Sequence, residues 1–100
     1  MNILSLIYTK KISKDNWNDF FINKKKFNLQ KRTFRSAFFA NELDDILIKV
    51  EPYKVEIMYT SAKIENLICL LNELISLNDK KRVSIKIYNR KEKNKLMQLL

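Results

Sequence analysis

The architecture turns on residues 27–50, which read FNLQKRTFRSAFFANELDDILIKV. Two periodicities compete here. From Phe27 to Arg35 apolar and polar residues partly alternate, with Phe27 and Leu29 on one side, as in an extended segment. From Phe34 onward the spacing turns helical: Phe34, Ala37 and Phe38 share one helical face, and so do Leu43, Ile46, Leu47 and Val50. Ile46 to Val50 is equally a short apolar strand, because runs of this length cannot be assigned by period alone. Pro52 ends whichever element forms, since it fixes φ and lacks an amide proton.

The flanking segments are plainer. Residues 1–9 read as a strand with apolar residues on both faces (Ile3, Leu4, Leu6, Ile7, Tyr8), the pattern of a strand buried on two sides. Ser13 is placed to cap a short helix, Asp15 favours its positive end, and Ile12 and Trp17 occupy the positions of a hydrophobic staple. Trp17, Phe20 and Phe21 share a face, and Lys24, Lys25 and Lys26 suit the helix C-terminus. Tyr53, Val55, Ile57 and Tyr59 alternate with polar partners as a half-buried strand. Ser61 can cap a helix to about Leu77 whose stripe is Ile64, Leu67, Ile68, Leu71, Leu74 and Ile75, with Asn78 and Asp79 in the turn. Val83, Ile85 and Ile87 give a last strand, and a C-terminal helix from about Arg90 presents Leu96, Leu99 and Leu100 for packing on the sheet. The expected fold is α+β: one domain over residues 1–100, a two-layer structure with helices on one face of a sheet. The helix between strands 53–59 and 83–88 is long enough to join parallel strands. If 45–50 is a strand, the order becomes β-α-β-β-α-β, ferredoxin-like, followed by the C-terminal helix.

Composition excludes most familiar chemistry. The 100 residues contain no glycine, no histidine and one cysteine. Phosphate loops and dinucleotide fingerprints need glycine where backbone approaches phosphate. Ser-His-Asp and Cys-His pairs and HExxH zinc helices need histidine. One cysteine closes neither an internal disulfide nor a thiolate zinc site. The reading is therefore non-enzymatic, with no cofactor and no metal. There is no apolar run near the roughly 20 residues of a membrane span, and no signal-peptide pattern, so a cytoplasmic protein is expected.

Twenty Lys and Arg against eleven Asp and Glu give a net charge of +9. Part of this is compositional: Asn, Ile, Lys, Phe and Tyr, which have AT-rich codons, make up 49 residues, and arginine appears only four times. Codon bias does not, however, segregate charge along a chain. Residues 10–35 carry a local +7, residues 36–79 carry −5, and residues 80–95 carry +7. The order basic, acidic, basic predicts a dipolar molecule.

Two kinds of binding surface follow. A compact chain with segregated charge and no chemistry of its own fits a dedicated protein partner, as in inhibitors and immunity proteins. The acidic residues Glu42, Asp44, Asp45 and Glu51 would meet a basic partner; Lys24, Lys25, Lys26, Arg32 and Arg35 would meet an acidic one. The alternative is nucleic acid, held by these lysines and arginines interleaved with Phe27 and Phe34, or by Lys86 and Tyr88 on the last strand. The protein-contact reading stands slightly ahead, because Phe27 and Phe34 are more simply core residues. Cys69, between Ile68 and Leu70, reads as buried and inert, and Trp17 as core. Nothing in the pattern specifies an oligomeric state.

Overall fold

Between residues 28 and 51 the chain forms three strands. The computed structural model describes residues 2–11, 13–41, 43, 45–60, 64–76 and 83–99. In chain order the elements are β1 (Asn2–Tyr8), α1 (Lys14–Asn18) running on as a π-helical segment (Asp19–Lys24), β2 (Asn28–Arg32), β3 (Ala37–Asn41), β4 (Ile46–Glu51), β5 (Lys54–Tyr59), α2 (Ile64–Ser76), β6 (Val83–Ile87) and α3 (Arg90–Leu99). The six strands form one sheet in the order β2-β3-β4-β5-β1-β6, with every neighbouring pair antiparallel.

The strand reading of 45–50 holds, but β2 and β3 precede it, so the chain runs β-α-β-β-β-β-α-β-α and not in the six-element order expected. The helical spacings at 34–38 and 43–50 are coincidental. Extended, this stretch sends Ala37, Phe39, Ile46, Ile48 and Val50 to the core and leaves Phe38, Leu47 and Lys49 on the other face. Strands β5 and β6, joined through α2, run parallel but are not neighbours: β1 lies between them and pairs with both.

One face of the sheet is covered. Leu4, Leu6, Val55, Ile57 and Tyr59 are buried there beneath Phe20 and Phe21, beneath Leu67, Leu70, Leu71 and Leu74 of α2, and beneath Leu96 of α3. Phe21 is the hub, with its ring centroid 5.0 Å from Phe39 and 5.6 Å from Trp17. Trp17 in turn meets Tyr8 edge-on at 5.8 Å. Full burial of such side chains contributes about 1.5–3 kcal/mol each. The Tyr8 hydroxyl donates to the Leu74 carbonyl at 3.2 Å and ties β1 to α2. The opposite face is largely open: Ile3 and Ile7 of β1 are exposed there, against the expectation from its pattern, and on that side only Ser5 between them is buried. The outward side of α2 carries Cys69, which is exposed and not buried as its apolar neighbours implied.

Local chemistry sets the ends of these elements. Ser13 accepts from the Asn16 amide at 3.3 Å, as its capping position predicts. Asn89 caps α3, its Oδ1 accepting from the amides of Lys91 and Glu92. Glu92 and Leu96 are the buried contacts of α3, and the Tyr59 hydroxyl donates to Glu92 Oε2 at 3.3 Å. Leu99 is exposed, so the helix packs through less of its apolar set than expected. Lys26, with φ 59°, ends the π-helical segment where the Phe27 amide donates to the Phe21 carbonyl at 2.7 Å. Glycine usually fills such left-handed positions, and this chain has none. The expected roles of Ile12, Ser61, Asn78, Asp79 and Leu100 lie outside the described residues.

Candidate binding cleft

Strands β1, β2 and β4 run in the same direction, so their C-terminal ends meet at one end of the sheet. Three connections leave from there: from β1 into α1, through residues 33–36 into β3, and through residues 52–53 into β5. Between them lies a cleft of about 960 Å³. Its walls are Trp17, Ala37 and Val50 from the packed layer; its rim carries Lys11, Arg32, Arg35, Lys54 and Glu51, with the rings of Phe34 and Tyr53.

The connection 33–36 is a tight turn. The Thr33 amide donates to the Ser36 carbonyl at 2.8 Å, and the Ser36 amide donates to Thr33 Oγ1 at 3.0 Å. That double closure places Phe34 and Arg35 at the tip. Phe34 is 87 % exposed, which overturns its assignment to the core; Phe27, by contrast, is buried. Tyr53 is 52 % exposed on the neighbouring turn. Sequence reasoning placed Tyr53 in a strand and missed it as a site residue. The signal available was Pro52-Tyr53 between two alternating runs, which marks a turn and hence an exposed ring.

The charges at the rim are unequally satisfied. Glu51 lies 3.2 Å from Lys49, and Lys54 lies 3.4 Å from Glu56, so each is locally neutralised. Lys11, Arg32 and Arg35 form no ion pair among the described residues. Residues 20–41 contain no carboxylate at all. The cleft is therefore an anion-attracting hollow with two aromatic rings at its mouth.

The other residues singled out from the sequence are dispersed. Glu42 and Asp44 lie outside the described residues. Asp45 occupies a left-handed turn position, φ 52°, before β4, and Glu51 ends that strand roughly 20 Å further on. These two do not share a patch. Lys24 pairs with Asp19 at 3.6 Å, and Lys25 pairs with Glu73 of α2 and sits over the Phe20 ring. Lys24, Lys25 and Lys26 take no part in lining the cleft. Lys86 lies 5.2 Å from the Tyr88 ring centroid, on the open face of the sheet. Across that face the register aligns Lys31, Phe38, Lys49, Glu56, Ser5 and Lys86, a row of mixed charge and not a basic stripe.

Among the described residues no group of three metal-ligating side chains comes together, and no helix is long and apolar enough to cross a membrane. Burial raises the hydroxyl pKa of Tyr8 and Tyr59, the latter also through Glu92, and both phenols lie away from the cleft lining. Comparison with protein-family models, curated proteins and solved structures gives no match.

Proposed function

We propose that this chain is a small non-enzymatic binding protein of the cytoplasm whose binding face is the cleft, and whose partner is nucleic acid. One observation carries the reading: two of the chain's four arginines, unpaired among the described residues, meet two exposed aromatic rings in one hollow. Codon bias supplies lysine but not arginine, so Arg32 and Arg35 are the informative cations. Guanidinium groups make forked contacts to phosphate, and aromatic rings beside them offer stacking surfaces for bases. The acidic face that a basic protein partner would need has less support, because Asp45 and Glu51 stand at opposite ends of β4.

The test is fluorescence anisotropy with labelled 12-nucleotide strands at 150 mM salt. Dissociation constants below about 1 µM are expected, tighter than the ~10⁻⁴–10⁻⁶ M typical of non-specific binding. Replacing Arg32 and Arg35 together by Ala is expected to weaken binding at least tenfold and to lower the salt dependence by about one counterion per contact removed. Replacing the neutralised Lys49, which does not line the cleft, is expected to leave binding within twofold. Binding no tighter than the non-specific range, or indifference to the arginines, overturns the reading.

A second reading, protein contact of inhibitor or immunity type, keeps one supporting observation: arginine with tyrosine is the pairing that dominates interface hot spots. Its partner would then present an acidic segment to the cleft. Capture of one acidic protein by the wild type, lost in the Arg32/Arg35 double variant and uncompeted by oligonucleotide, is its expected signature.

A further inference from the structure

From the placement of Phe34 and Tyr53 we infer that the cleft takes unpaired bases, so that the ligand is single-stranded nucleic acid and not a duplex. This rests on the nucleic-acid reading above and narrows it. Phe34 is 87 % exposed at the tip of its turn. The turn that carries it is closed by the Thr33 amide donating to the Ser36 carbonyl and the Ser36 amide donating to Thr33 Oγ1, which fixes the backbone that presents Phe34 next to Arg35. A fixed backbone offers the ring at a set place, so less of the chain has to be ordered when a base stacks on it. Tyr53 supplies a second ring across the same hollow. Only an unpaired base offers its π-face to such rings, since in a duplex both faces are already stacked.

The hairpin geometry also disfavours a duplex. A two-stranded ribbon can read a major groove when it enters as a free ribbon. Here β3 is paired on its far edge with β4, and its inner face, Ala37 and Phe39, is buried in the core. The hairpin is one margin of a six-stranded sheet and cannot be inserted. At about 960 Å³ the cleft is at the upper end of the ~300–1,000 Å³ usual for small-ligand sites. That is room for one or two bases with their phosphates reaching Arg32 and Arg35.

The decisive experiment compares labelled (dT)₁₂ and (rU)₁₂ with the same strands annealed to their complements, by anisotropy at 150 mM salt. The expected result is a preference of at least tenfold for one or both single strands. Phe34→Ala is expected to lose roughly tenfold in affinity for the single strand. It should leave duplex affinity and the salt slope unchanged. Tyr53→Phe, which keeps the ring, should bind as the wild type does, whereas Tyr53→Ala should not. Circular dichroism melts of each variant verify folding. Equal affinity for single strand and duplex, or full binding by folded Phe34→Ala, overturns this inference while the nucleic-acid reading stands. If neither form binds better than the non-specific range, the nucleic-acid reading itself fails. Competition by poly-glutamate at equal charge concentration would count against both and assign the cleft to an acidic protein.

Discussion

The β2–β3 and β4–β5 hairpins lie side by side in one sheet and handle charge in opposite ways. In β4–β5 each lysine has a carboxylate within reach, Lys49 with Glu51 and Lys54 with Glu56, and Lys49 stands directly across the ladder from Glu56. In β2–β3 there is no carboxylate, and every residue of β2 is exposed. The first arrangement spends its cations on the fold's own anions and leaves a neutral surface. The second leaves Lys31, Arg32 and Arg35 facing solvent around an exposed ring. The local charge of the linear segments is thus redistributed on folding: Glu51 and Glu56 stand beside lysines, Lys24 and Lys25 beside Asp19 and Glu73, and Arg32 and Arg35 stay unpaired among the described residues.

The largest test of this contrast uses two phenylalanines five residues apart. Phe39→Ala removes a ring that is 0 % exposed and stacked on Phe21, and is expected to destabilise the fold by about 3–5 kcal/mol in urea unfolding. Phe34→Ala is expected to change stability by less than about 0.5 kcal/mol. A large cost at Phe34 would mean that the ring supports the fold, and the cleft would lose its claim to a stacking platform.

Those two residues also mark what the sequence reveals. Strand β5 and helix α2 were legible because each has one apolar face, Val55, Ile57 and Tyr59 in the first and Leu67, Leu71 and Leu74 in the second. Strands β3 and β4 were obscured by Phe38 and Leu47, apolar residues on the open face that complete a false helical spacing with their neighbours. The extra strand pair followed from that ambiguity and could not be counted without the register. For the cleft, Arg32 and Arg35 were legible by type. The exposure of Phe34 was not, since it depends on the Thr33–Ser36 closure, and Tyr53 joins them only because β2 and β4 end on the same side of the sheet.

Alkali separates the hairpins by a different route. Burial raises the Tyr59 hydroxyl above the ordinary tyrosine value of 10.0, helped by the negative charge of Glu92 and the hydrogen bond to it; burial alone raises Tyr8. The unfolded chain releases these protons from about pH 10, whereas the folded chain must hold them. The stability they contribute is therefore fully present below pH 10 and lost as pH rises beyond it. With no histidine in the chain, thermal melting is expected to vary little between pH 6 and 9 and to fall steeply above 10. Tyr59→Phe should blunt the fall, and an unchanged alkaline transition in that variant would remove Tyr59 from the account. The β2–β3 hairpin contains no tyrosine and contributes nothing to this loss.

The smallest effect lies where the chain enters that hairpin. Lys26→Gly relieves a left-handed backbone position and is expected to stabilise the protein by about 0.5–1 kcal/mol. Because Lys26 does not line the cleft, oligonucleotide affinity should stay within about twofold, the small non-specific share of one surface charge. A tenfold loss would extend the binding surface from the cleft to the helix end.

The single tryptophan gives the molecule an internal optical reporter. Trp17 is buried in the cleft wall, in contact with Tyr8 and Phe21, and its indole N–H has no acceptor among the described residues. Its emission in the free protein should be that of an indole shielded from water and lacking a hydrogen-bond partner. Unfolding would shift it to the red. A nucleobase seated in the cleft would quench it without that shift, so one unlabelled sample can distinguish occupancy from loss of structure.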